Sequence, residues 1–202
     1  MKKIVFILVS AAMLLTGSNV FAQGKYGADS AECIKYLSYY KEYFKQKNYD
    51  ESLPNWRKAY ALCPPTASQN LLIDGTTLLR REVQRQARNV EYRNALVDSL
   101  LALHDIRAEY YPSYAVTARN NKGVDMSNFI KDDNTRLFKG YSEIIDANGD
   151  QTKPSIFLFQ LNAAIEEFRQ GNLTAEDIIN IYQKSIELLA DVETTTDAEA
   201  EQ

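Results

Sequence analysis

The sequence predicts an all-α protein, built of about four stacked helical hairpins. Three observations carry that expectation. Apolar residues recur at three- and four-residue spacing along most of the chain, the helical period. No stretch after the first two dozen residues keeps up the two-residue alternation of a half-buried strand. Four of the five Pro residues fall between the periodic segments, where turns are needed.

The chain opens with a segment of a different kind. Lys2 and Lys3 precede an apolar run from Ile4 to Leu15, and a short polar stretch ends at Val20-Phe21-Ala22. Basic start, apolar middle and small residues before a cut are the parts of a secretory leader. Residues 1–22 are therefore expected to be a signal peptide cut before Gln23, with the periplasm as destination and secretion further out left open. The alternative is an uncleaved anchor, but the apolar run is short for a span of about 20 residues. Removing 22 of the 202 residues leaves 180, and losing Lys2 and Lys3 moves the net charge from −4 to −6. That length suits one domain. The acidic balance argues against nucleic acid as a partner. No second long apolar run follows, so no membrane span is expected in the mature chain.

The first helix is expected to start near Asp29 or Ser30, with Glu32 as a capping-box partner of Asp29. Its stripe is Cys33, Tyr36, Leu37, Tyr40 and Phe44. Asn48 breaks it. The second begins near Asp50 and carries Leu53, Trp56, Ala59, Tyr60 and Cys63, with Pro54 tolerated in the first turn and Pro64-Pro65 as the stop. Cys33 and Cys63 lie equally far on either side of Asn48. In an antiparallel hairpin that spacing sets them side by side, and an even count in an exported chain points to a disulfide. Two buried thiols are the alternative.

The third helix is expected from about Ala67 to Arg88, with Leu72, Leu79, Val83 and Ala87 inward. The fourth covers about Glu91 to Tyr110 and is punctuated by Pro112. The fifth runs from Ser113 to Phe129 and the sixth from Asp132 to Asp146. A loop through Asn148-Gly149-Asp150 to Pro154 leads to the seventh, Ser155 to Gln170, closed by Gly171-Asn172. Thr174, with Asp177 three residues on, caps the eighth, which ends near Asp191. The domain is thus set at 23–192. The acidic stretch 193–202 has no apolar anchor and is expected to be disordered.

The first hairpin resembles a tetratricopeptide repeat, a helix pair with a period of about 34 residues. With Pro64 at that motif's terminal proline, Tyr36 takes its first aromatic position, Tyr39 its leucine and Tyr43 its tyrosine. Ser52 and Ala59 take its two small positions and Trp56 its phenylalanine. Tyr40 departs from the pattern, standing where a small residue is usual. The motif covers about 32 residues, and the later hairpins match it poorly. Leader, one clear repeat and degenerate helices together look like uncharacterised exported tetratricopeptide proteins of Gram-negative envelopes. The resemblance implies a right-handed superhelix that holds a protein or peptide partner. It also implies that Leu37, Lys41, Phe44 and Lys45 line a concave groove. The alternative is that Leu37 and Phe44 pack inward with the lysines in water.

Other clusters carry weaker chemistry. Arg81, Arg85 and Arg88 share a face by i, i+4 and i+7 spacing, with Arg80 and Arg93 nearby. They make either an anionic docking patch, for which Arg is suited, or a solvated face pairing with Glu82 or Glu91. His104, the one histidine, falls on the apolar fourth helix and reads as a packed core residue. Asp146, Asn148 and Asp150 have the spacing that starts a calcium loop, but Gln151 replaces its glycine and Phe157 its bidentate acid. No phosphate-cradling glycine loop or dinucleotide fingerprint occurs, so no cofactor and no metal are expected. The leading expectation is an envelope interaction module or adaptor rather than an enzyme. A structural subunit of a larger envelope assembly is the alternative, and an enzyme on a helical scaffold a third.

Overall fold

The computed structural model describes residues 24–200, with side chains through 190; the expected leader and the last two residues lie outside that range. Eight α-helices make up the fold: α1 (Ser30–Lys45), α2 (Tyr49–Leu62), α3 (Gln69–Arg85), α4 (Val90–Tyr110), α5 (Ala115–Phe129), α6 (Asn134–Asn148), α7 (Pro154–Arg169) and α8 (Ala175–Ala200). No strand occurs among the described residues.

The connections come in two kinds. Between α2 and α3, α4 and α5, and α6 and α7 the chain makes a single 3₁₀ turn, at Pro65–Ala67, Pro112–Tyr114 and Gly149–Gln151. Proline opens the first two, where its fixed φ suits a helical start. Within the pairs the reversals need no such turn. Two of them are built identically. After α1, the Asn48 amide donates to the Tyr43 carbonyl and the Lys47 amide to the Phe44 carbonyl. After α7, the Asn172 amide donates to Glu167 and the Gly171 amide to Phe168. Both are Schellman caps, which need a left-handed residue. Gly171 supplies it at φ 81° and Lys47 at φ 57°. Asn48 then caps α2 by accepting from the Glu51 amide.

Several helix ends differ from the sequence expectation. Asp29 makes no side-chain cap to α1, and Glu32 pairs instead with Lys35, 3.1 Å away. α3 stops at Arg85 rather than Arg88: the chain must reverse there, and Asn89 caps α4 by accepting from the Tyr92 amide. α5 starts at Ala115, after the proline turn. α8 continues to Ala200 instead of ending near Asp191; residues 191–200 contain no Gly or Pro, and Ala and Glu are strong helix formers. The expected cap of α8 is present: Thr174 and Asp177 bond reciprocally, the Asp177 amide donating to the Thr174 hydroxyl at 3.2 Å.

Each helix packs most heavily on its neighbours in the chain, α1 on α2 and α3 on α4 above all. Close approach in the first hairpin comes from its small residues. Ser52 and Ala59 are fully buried, and the Ser52 hydroxyl donates to the Tyr40 carbonyl at 3.0 Å. Tyr40, large where a small residue is usual, is also fully buried; its hydroxyl reaches Asp74 on α3 at 3.3 Å. Trp56 spans to α3, where its indole N–H donates to the Leu71 carbonyl at 2.7 Å. It lies so close to Gly75 that a Cβ there would sit 2.4 Å from the ring. The Cys33 and Cys63 sulfurs are 2.11 Å apart, at disulfide distance, joining the open end of the hairpin.

Candidate functional site

The strongest polar constellation lies where α3, α4 and α5 meet. Asp125 on α5 is 1 % exposed and His104 on α4 is 2 % exposed. Arg80 on α3 grips Asp125 with two bonds, Nε to Oδ1 at 2.7 Å and Nη2 to Oδ2 at 2.9 Å. This is the fork geometry that makes arginine–carboxylate pairs specific. His104 Nε2 stands 2.7 Å from the same Oδ2. Burial pushes the Asp125 carboxyl up, but the bonds from His104 and Arg80 and their charge outweigh it and leave the carboxyl below its ordinary value. An ionised Asp125 only accepts, so Nε2 carries the hydrogen between them. His104 Nδ1 is buried with no partner. The ring is sealed from solvent. The network ties three helices together.

A cleft of about 610 Å³ opens on the solvent side of this network, between α3 and α5. Val83 and Phe129 form apolar wall, Gln84 and Asn128 offer amides, and Arg80 and Arg93 bring guanidiniums. Arg93 is anchored by a bond from Nη2 to the Phe129 carbonyl at 2.8 Å. A second cleft of about 490 Å³ lies between α6 and α7, beside Tyr141 and Phe159.

The expected groove residues are divided: Leu37 and Lys41 border one hollow, while Phe44 and Lys45 lie outside it. Leu37 is 7 % exposed and belongs to the core. Phe44 packs edge-on against Tyr49, with ring centres 5.4 Å apart. Lys41 borders a small hollow of about 210 Å³ with Leu37 and Tyr26, while Lys45 is exposed at the end of α1. The arginine face is also divided. Arg85 pairs with Asp50 on α2, and Arg81 lies 3.9 Å from the same carboxylate and over the Tyr49 ring. Arg88 falls beyond the end of α3 and so leaves their face. The main partner is thus Asp50 rather than Glu91, with Glu82 at 4.0 Å from Arg85. Asp146 and Asn148 lie on α6, where Asp146 pairs with Lys184 on α8 and Asn148 is buried against Asn120. Among the described residues no group of three or more His, Cys, Asp or Glu is placed to hold a metal. No described helix is long and apolar enough to cross a membrane.

Sequence reasoning missed Asp125. One signal was present: Asp125 stands seven residues after Ala118 and four before Phe129, on the inward face of its helix. An acid at such a position needs a cationic partner, and Arg80 and His104 were the available ones. Comparison with protein-family models, with curated proteins and with solved structures finds no match to this chain.

Proposed function

We propose that this protein is an exported interaction module of the tetratricopeptide kind, a right-handed stack of hairpins that holds a partner protein in the cell envelope. One observation carries the reading. Ile179, Tyr182 and Ile186 are 55 %, 55 % and 49 % exposed and lie at i, i+3 and i+7 on α8. Large apolar side chains at that spacing form a continuous face, and such a face left open marks a contact surface. The candidate polar network is buried and serves packing, which favours holding over catalysis. A subunit of a larger envelope assembly is the second reading, favoured by the same face lying on the last helix.

The test is a photo-crosslinking residue at Tyr182 in the producing cell. A discrete adduct is expected, lost in the double variant Ile179→Lys and Ile186→Lys while the thermal midpoint holds. An adduct twice the mass of this chain selects the assembly reading. Absence of any adduct, or one indifferent to the two lysines, overturns both. Sequencing the N-terminus of the recovered protein tests export, with Gln23 expected first.

A further inference from the structure

The cleft between α3 and α5 has the chemistry of a ligand site distinct from the α8 face. An arginine presents five N–H donors. Arg80 spends Nε and Nη2 on Asp125 and keeps both hydrogens of Nη1. The buried Asp125–His104 pair holds the planar group in place, so no ordering of a flexible side chain opposes binding there. Arg93 is held by a neutral carbonyl and by Asn94, and forms no salt bridge among the described residues. Among the charged side chains that line the cleft, Arg80 and Asp125 cancel and Arg93 remains.

One uncompensated positive charge is matched by a single negative charge. A carboxylate supplies one near neutral pH, whereas a phosphate monoester brings nearly two and would leave the cleft negative. A carboxylate can also accept from the Nη1 hydrogens that Arg80 keeps. Ala87 and Val124 line the cleft with accessible apolar atoms over the buried Val83 and Phe129, and this favours an apolar body behind the charge. A volume of about 610 Å³ lies within the range of small-ligand sites.

We infer that the Arg80–Arg93 cleft binds a small amphipathic monocarboxylate, its carboxylate on the two arginines and its short apolar body against Ala87 and Val124. The acid comes from one of two sources, a free fatty-acid-like molecule or an acylated amino acid, and Gln84 and Asn128 would add amide contacts only to the second.

Isothermal titration of the protein recovered from the producing cell tests this, at neutral pH and low salt. The probes are hexanoate, N-acetyl-leucine, N-acetyl-leucine amide and inorganic phosphate. At least one of the two acids is expected to bind saturably at one site, and the amide and phosphate at least about tenfold more weakly than that acid. Tighter binding of N-acetyl-leucine supports the acylated source, and tighter hexanoate the free acid. Arg93→Gln is expected to weaken the acid about tenfold or more, and Arg93→Lys less, because it keeps the charge and loses only the fork. Arg88→Gln, outside the cleft, should bind as the parent does. The inference is overturned if neither acid saturates, if the amide or phosphate binds as well as the better acid, or if folded Arg93→Gln and Arg93→Lys both bind like the parent. None of these results depends on the α8 face, so its variants fail or succeed separately.

Discussion

Asp125 stays ionised because two neighbours hold its proton off, although water is excluded from it. Its folded carboxyl titrates below the ordinary value, so the folded state resists protonation more than the unfolded chain does. The stability this confers is present in full above the ordinary carboxylate range. It is lost as pH falls through the lowered folded value. Asp125→Asn is expected to cost about 2–3 kcal/mol at pH 7, below the usual figure for a broken buried pair because Arg80 can turn partly to solvent. Urea midpoints at pH 7, 5 and 3 check this: the gap between parent and variant should narrow with acid. A gap that stays constant from pH 7 to 3 would refute the ionised assignment. Asp74 runs the other way. Burial raises its carboxyl more than the Tyr40 hydroxyl and Lys41 lower it, so its contribution is lost as pH rises.

At the scale of the helix, contact between α2 and α3 depends on an absence of side chain. Gly75 faces the Trp56 ring, and the ring cannot withdraw, since its N–H is fixed to Leu71 and Tyr60 stacks 5.2 Å from it. Gly75→Ala gains helix propensity but forces overlap, and a net loss of about 1–3 kcal/mol is expected in thermal or urea unfolding. An unchanged midpoint would mean that the two helices separate without cost. The sequence made some of these elements plain and hid others. The hairpin from Cys33 to Pro64 was legible because period, spacing and the Asn48 turn all agree. The end of α3 was not, because Ala87 and Arg88 are good helix formers and only the reversal into α4 stops the helix. The reach of α8 was hidden for the same reason: propensity without apolar anchors leaves a helix undecided. The expected groove failed at Leu37 and Phe44, since an apolar residue on a helix reads alike whether it meets a ligand or a neighbouring helix.

Over the whole molecule, the covalent and polar ties are placed unevenly. The cysteine pair closes the first hairpin, and the Arg80–Asp125–His104 network joins the middle three helices. The last helix is tied to α6 by the Lys184–Asp146 ion pair, with both side chains more than half exposed. Exposed pairs of this sort contribute little. Replacing both cysteines with serine is expected to lower stability by about 3.5 kcal/mol, the chain-entropy figure for a crosslink of sequence separation 30. Thermal unfolding with and without reductant checks it: reductant should lower the parent midpoint and leave the double-serine variant unmoved. A parent indifferent to reductant after unfolding would deny the crosslink.

The position of that crosslink also bears on how the chain is assembled. A polypeptide is made from its N-terminus, so both sulfurs are available once the first third of the chain has emerged, before α3 exists. With two cysteines in the sequence, only one pairing within a chain is possible. The first hairpin therefore needs no later helix to select its bond and no isomerase to correct it. It becomes a finished template on which each following helix has a surface to settle as it arrives.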